Sequence, residues 1–500
     1  MSELETSKPA VVVNEKKSSK GKKKKAVNPA TITPEYIEEQ RRLRQLKKEQ
    51  KKQELIAQGI NPDQVETPAE LRYKTRDVLV VQEHQQVEDG PAIRIMSYNM
   101  LAQALIRRKL FPTSGNALKW STRSQVLLSE ICHYNPDILC LQEVDFVQYN
   151  SFWKSEFDKL GYDSKYHRAG TKNHGLALVY RRTIFVNNHH LAHIQYDKEK
   201  SGKLSPSCVT QNIGLLACLD FTPQMRSKYP KLRNGLIVGT THLFWHPFGT
   251  YERTRQTYVI LKKFKEFRDT LNTLNGEGSS WYSFFAGDFN SQPFDTPYLS
   301  ITSKPVKYKG RGPLVLGCSL SYQYSSSRGI VDDEDNDDST PAEEEEGGNV
   351  EKYGKNQPTD PVPDTFEFTD EQRQKVEDME ALHNSLDMRA ISLYSAGYHL
   401  VDPKNAGIDN DRKEPFFSNW AHTWRGLLDY IFIISSWNQV DDYSERIDSV
   451  QDIESEHGVK LLKLLQLPLP EEMGPEPSGQ PRIGQYPSDH LCLMAEVALC

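Results

Sequence analysis

Cysteine is scarce in this chain: seven residues (Cys132, Cys140, Cys208, Cys218, Cys318, Cys492 and Cys500) are scattered over 500 positions. Their number is odd and no two form a CxxC pair, which argues against zinc and disulfide frameworks and leaves buried, reduced thiols as the expected state. Apolar residues are also sparse, at 37%, and mean hydropathy is −0.65. No window has the length and apolarity of a membrane span, and the N-terminus lacks the apolar region of a signal peptide. These absences point to an intracellular protein with no membrane partner. The length still suffices for one large or two medium domains with ample core.

What the chain does have is segregated charge, which the net value of −6 conceals. Residues 1–34 are low in complexity, and Lys16–Lys25 reads KKSSKGKKKK. Such a segment cannot bury enough surface to fold. It suits nuclear import or contact with RNA, the plainer reading being a solubilising tail. Glu35–Gln58 is rich in helix formers with acids preceding bases at helical spacing, and Gly59 and Pro62 stop it. Residues 35–90 therefore read as an exposed charged helix and linker. A folded domain is expected over 91–500, interrupted at about 325–364 by an acidic disordered insertion. Within it, Val331–Val350 carries DDEDNDD and EEEE and no aromatic residue. That insertion reads as a solvated loop or, more sharply, as a nucleic-acid mimic that competes for a basic cleft.

Inside the domain, short apolar runs alternate with amphipathic segments. Strands are predicted at Ala92–Tyr98, Asp137–Leu141, Gly175–Tyr180, Gly235–Thr240 and Trp281–Ala286, and helices at Ser121–His133, with Ser121 as N-cap, and Tyr149–Leu160. The mixture implies an α/β sandwich. Several runs end in polar residues that a core strand would aim rigidly. Gly287-Asp288-Phe289-Asn290-Ser291-Gln292-Pro293 follows one such run. Leu139-Cys140-Leu141-Gln142-Glu143, Leu427-Leu428-Asp429-Tyr430-Ile431 and Pro487-Ser488-Asp489-His490-Leu491 set further carboxylates against apolar stretches. Carboxylates repeated in this way suggest a hydrolytic metal site.

Taken in order, Ser97-Tyr98-Asn99, Leu141-Gln142-Glu143, Thr241-His242-Leu243, Gly287-Asp288-Phe289-Asn290, Leu428-Asp429-Tyr430 and Ser488-Asp489-His490 resemble the endonuclease/exonuclease/phosphatase superfamily over residues 92–499. Within it the chain is most similar to the Ccr4–nocturnin–Angel branch, and there to the yeast Ngl-type RNA exonucleases. The resemblance implies a four-layer α/β/β/α sandwich of the DNase I-like type. It implies Mg²⁺, with Mn²⁺ as a substitute, held by Glu143 with help from Asn99 and Asp489; a hard cation takes oxygen ligands and keeps several waters. By the same resemblance Asp288 activates water and Asn290 holds it or a phosphate oxygen. His490 donates to the phosphate, Asp429 orients His490, and His242 is a second donor. Phe417–Trp424 and His242–Pro247 are similar to stretches that grip a base, so Pro247 and Trp424 would sandwich one with Asn419 touching the nucleotide; alternatively Trp424 is a core tryptophan.

Two positions depart from the family pattern. His174 stands where relatives carry an acid before the strand Gly175–Tyr180, which alters local hydrogen bonding. Trp424 stands where poly(A)-specific relatives have phenylalanine. The expected activity is Mg²⁺-dependent 3′-to-5′ exoribonucleolysis releasing 5′-mononucleotides, with trimming of ribosomal RNA precursors, notably the 3′ end of 5.8S rRNA, as its role. The alternatives are an mRNA poly(A) deadenylase, a nocturnin-like dinucleotide phosphatase, and a non-catalytic RNA binder. Single-stranded RNA 3′ ends and pre-ribosomal particles are the expected partners, a monomer the default state, and nucleus and cytoplasm the expected locations.

Overall fold

The computed structural model describes residues 67–85, 90–276, 278–322, 366–421, 424–474 and 479–500, together with Val362 and most of 42–54. The Lys-rich tail lies outside the described residues, as does the acidic insertion apart from Val362. The chain divides into two units, residues 1–62 and 63–500. In the first, the described residues of 42–54 are helical and exposed, as their charge pattern predicts.

The second unit holds two large sheets. One orders β1 (Val78–Val80), β14 (Val459–Leu465), β15 (Leu493–Leu499), β2 (Ala92–Asn99), β3 (Ile138–Asp145), β5 (His174–Arg181) and β4 (Tyr162–His167). The other orders β10 (Met388–Ser392), β13 (Asp429–Ser436), β9 (Trp281–Asp288), β8 (Gly235–His242), β7 (Ile213–Phe221) and β6 (Phe185–Gln195). A small ribbon joins β11 (Asn419–Ala421) to β12 (Trp424–Gly426).

Period-two alternation decides which way each strand faces. In β2, Ile93 and Ile95 enter the large core shared with the second sheet, while Met96 and Tyr98 enter a separate cluster with Leu127 and Ile131 of the helix Trp120–Tyr134. In β3, Ile138 and Cys140 face the first cluster, and Leu139 and Leu141 the second. Strands buried on both faces read as continuous apolar runs, which is why their alternation is hidden in the sequence. The helix Thr250–Asn275 contributes Tyr258, Ile260, Leu261 and Phe264 to the large core. The architecture is the expected helix–sheet–sheet–helix sandwich.

Three expectations need correcting. Residues 67–85 are not linker: β1 pairs antiparallel with β14 and covers that sheet edge, and buried Arg76 bonds the carbonyl of Cys492 at 2.8 Å. Ser121 is not an N-cap; the helix begins at Trp120 after Lys119, with no side-chain cap. The segment predicted as one helix at Tyr149–Leu160 starts at Phe146 and passes through a π turn, Tyr149–Trp153, before Lys154–Lys159. The seven cysteines are thiols; Cys140, Cys218, Cys318 and Cys492 are buried as expected, whereas Cys208 is half-buried and Cys132 and Cys500 are exposed. No helix among the described residues is long and apolar enough to cross a membrane.

Candidate active site

The polar motif residues sit where strands of both sheets end. β2 ends on Asn99, β8 on His242 and β9 on Asp288, while β13 begins at Asp429. Register brings them level: His242 pairs with Asp288, and Asp288 with Asp429. Gly287 is required for this approach, because a Cβ there would lie 2.2 Å from the carbonyl oxygen of Thr241.

Glu143 is aimed by a local irregularity. The β3–β5 pairing slips between Leu141 and Val144, and Glu143 has φ +52°. A β-bulge re-aims a side chain, and a positive φ at glutamate is strain that surrounding contacts must hold. The amide of Ala102 supplies one such contact, donating to Glu143 Oε2 at 2.9 Å. Neighbouring Asp145 accepts from the amides of Gln103 (2.6 Å) and Ala104 (3.1 Å), pinning the same turn.

Asp288 is the buried hub. Its Oδ2 accepts from Asn99 Nδ2 at 2.9 Å and its Oδ1 from the amide of Asn290 at 2.8 Å. His242 Nε2 stands 3.5 Å and His490 Nε2 3.6 Å from Oδ2. Burial pushes the Asp288 carboxyl up, while His490 and His242 pull it back. Asn290, at φ +46°, adopts the left-handed conformation that asparagine tolerates, and its side chain donates to the carbonyl of Leu243 at 3.0 Å.

The second histidine is held from behind. His490 Nδ1 lies 2.8 Å from Asp429 Oδ2, which also accepts from Ser418 Oγ at 2.7 Å. Ser418 Oγ in turn accepts from the amides of Leu428 and Asp429. Burial alone would depress His490, but Asp429 and Asp288 raise it well above its ordinary value, so it carries its proton at neutral pH. His242 is the opposite case: burial takes it down to about 4, and its ring is neutral. His174 is likewise held well below its ordinary value by burial, Lys172 and His242.

The donor set fits a hard divalent cation. Burial, reinforced by the negative charge of Glu143, pushes Asp489 up to about 6. A carboxyl whose proton affinity is raised by a neighbouring negative charge is relieved by a bound cation, and oxygen donors suit Mg²⁺. Glu143 Oε1, on the side of the carboxylate away from Ala102, is 3.9 Å from His242 Nε2. Asn99 is committed further than expected, since its Oδ1 also accepts from the amide of Leu101 at 3.0 Å; a carbonyl oxygen's second lone pair is what it can offer. A tighter grouping, Asp288, Asp429 and His490, places ligand-type atoms within 4.8 Å of one another. Its internal hydrogen bond, His490 to Asp429, suits proton handling.

The residues expected to grip a base separate by exposure. Trp424 is 48% exposed, which removes the core reading; within Phe417–Trp424 the buried tryptophan is Trp420 at 1%. The Trp424 ring lies over Gly426, where a Cβ would meet it at 2.8 Å and Gln292 Oε1 at 3.0 Å. Pro247 is exposed on the loop after β8. Asn419 is buried and bridges to His490 through the backbone. Sequence reasoning passed over Ser418 and Ser488, although each directly precedes a motif residue. Ser488 Oγ donates to the carbonyl of Asn99 at 2.8 Å. It also missed Arg123, which no local cue marks; its guanidinium donates to the carbonyls of Pro487 (2.7 Å) and Leu101 (2.7 Å), tying the loop that carries Asp489 to the segment that follows Asn99.

Sequence comparison decides the family: the signature of the endonuclease/exonuclease/phosphatase family matches residues 96–490. The chain belongs to that family. It is therefore an enzyme of a group that cleaves phosphate esters. It is similar to the RNA exonuclease NGL2 of Saccharomyces cerevisiae, with 49% identity covering 99% of this chain and 94% of the relative. NGL3 of the same yeast is 37% identical, over 94% of this chain and 90% of its own length. Among solved structures, the fold matches ANGEL2, described as a 2′,3′-cyclic phosphatase, with a TM-score of 0.51, 19% identity, and coverage of 85% of this chain and 98% of that one. These relatives lie in the branch that the ordered motifs resemble.

Proposed function

We infer that this chain is an RNA exonuclease, working 3′ to 5′ and releasing 5′-mononucleotides with Mg²⁺. The observation that carries the reading is the convergence on Asp288: Asn99 and Asn290 fix both of its oxygens, and a charged and a neutral histidine flank it. Asp288 is positioned to take a proton from a water, whose oxygen attacks the phosphorus while the bond to the preceding 3′-oxygen breaks. His490, protonated through Asp429, donates from Nε2 to a phosphate oxygen as charge builds, and His242 donates as a neutral imidazole. Bound at Glu143, Asp489 and Asn99, Mg²⁺ would supply neutralisation of phosphate and leaving-group charge. The likeness to a named RNA exonuclease along nearly the whole chain supports RNA as the substrate.

Within that class the reading extends to ribosomal RNA precursors, the 3′ end of 5.8S rRNA among them, in nucleus and cytoplasm. The exposed indole of Trp424 supports a broad substrate range, because base stacking tolerates any base. A panel of 5′-labelled RNAs with one body and tails of A, U or mixed sequence tests this. A ladder on all three is the expected result. A ladder confined to the A tail would make the enzyme a deadenylase, and silence on all three with release of phosphate from a dinucleotide would make it a phosphatase.

A further inference from the structure

Next to the catalytic residues is an opening that the reaction above does not use. Lys172, His174, Gln211, Asn212 and His242 are among the walls of a small, shallow pocket with room for a group the size of a single hydroxyl. Asn212 is 7% exposed, and its Oδ1 is buried without a hydrogen-bond partner. The amide orientation is fixed, because Nδ2 donates to the carbonyl of His242 at 2.9 Å. What Asn212 presents is therefore an acceptor. A buried acceptor left unpaired costs about 1–3 kcal/mol, so its retention calls for a donor from outside the chain.

The backbone around Asn212 is rigid. Asp197 accepts from the amides of Thr210 (3.1 Å) and Gln211 (2.7 Å) and from Thr210 Oγ1 (2.8 Å). Thr210 Oγ1 in turn accepts from the amide of Asn212 at 3.2 Å. Gln211 is held at φ +53° by this network. The acceptor is thus pre-positioned, which is what a specificity contact needs.

We propose that this pocket receives a ribose hydroxyl of a nucleotide flanking the scissile phosphate, with Asn212 Oδ1 as its acceptor, and so gives the enzyme its preference for RNA over DNA. The inference rests on the exonuclease reading and deepens it. A phosphate oxygen would be repelled by Oδ1, since both are acceptors. A hydroxyl is a donor and an acceptor at once, and it can also take a hydrogen bond from the His174 ring or Lys172. An ionised acid at position 174 would offer only acceptors, whereas the histidine ring completes a mixed donor and acceptor pocket.

The test uses the full chain with Mg²⁺ and 5′-labelled RNA carrying single substitutions: 2′-deoxy at the terminal or the penultimate nucleotide, or 3′-deoxy at the terminus. Wild-type kcat/KM should fall about three- to tenfold on one of these, the loss of one hydrogen bond. Asn212→Ala should fall by a similar factor on all-ribose RNA and be indifferent to that same substitution. A 2′-fluoro group at the responsive position, should it be a 2′ one, accepts but cannot donate, and on wild-type enzyme it should behave as deoxy; this arm needs no variant. Equal rates on all substituted chains, a fluoro chain cleaved like ribose, or unchanged discrimination in Asn212→Ala would overturn the inference. Failure to degrade the all-ribose chain would overturn the exonuclease reading itself, and this inference with it.

Discussion

Ser418 shows how much of the site depends on residues that touch no substrate. Its hydroxyl donates to Asp429 and accepts from two backbone amides, so it fixes the carboxylate that keeps His490 charged. Ser418→Ala should lower kcat about tenfold with KM nearly unchanged, and cost about 1–3 kcal/mol in urea unfolding, because buried groups lose their partner. Rescue by Ser418→Thr would separate the hydroxyl from mere packing. An unchanged kcat would show that Asp429 needs no such support. At this scale the sequence was informative where a residue type has few other uses: Asp288, Asn290, Asp429 and His490 end or begin apolar runs, and burial there demands a partner. Arg123 and Asn212 were not legible, since each acts through a tertiary contact with no local signature, to Pro487 and to the end of β8 at His242 respectively.

Single elements explain the rest of the site's shape. The bulge in β3 turns Glu143 out of a strand whose neighbours are buried, and no pattern of residues announces a register slip. The β11–β12 ribbon has tryptophans of opposite character, one in the core and one on the rim. Trp424→Ala should raise KM for RNA by the equivalent of about 1–3 kcal/mol while leaving the melting temperature alone. Trp420→Ala should instead destabilise the fold by about 3–5 kcal/mol, measured by denaturant unfolding. Equal effects of the two on stability would contradict the assignment of Trp424 to substrate. The strands themselves were largely legible, but their ends were read short, as at Trp281–Asp288. A sequence reading ends a strand where apolar residues stop, whereas hydrogen bonding carries β9 through Asp288.

For the molecule as a whole, acidity and charge segregation give two expectations. Glu414 is fully buried against Tyr298, whose hydroxyl donates to it at 2.8 Å, and burial pushes its carboxyl up to about 7. The folded state therefore holds a proton that the unfolded chain releases between its ordinary value of 4.5 and about 7. Stability should fall as pH rises through that window, and Glu414→Gln should flatten the fall in melting temperature; parallel curves would refute it. Deleting residues 1–58, which carry the Lys-rich tail, should weaken RNA binding and reduce its salt dependence while sparing cleavage of a dinucleotide. Loss of dinucleotide cleavage would mean that the catalytic unit extends into those residues. The central claim is that Asp288 activates water in a metal-dependent exonuclease. Single-turnover cleavage of a 5′-labelled RNA, with Mg²⁺ or EDTA, by wild type and Asp288→Ala at matched RNA binding tests it most directly. The account predicts a 3′-to-5′ ladder that EDTA abolishes and that Asp288→Ala slows by about 10³-fold or more with RNA affinity intact. A ladder that persists in EDTA, or an Asp288→Ala enzyme within about tenfold of wild type, would contradict it.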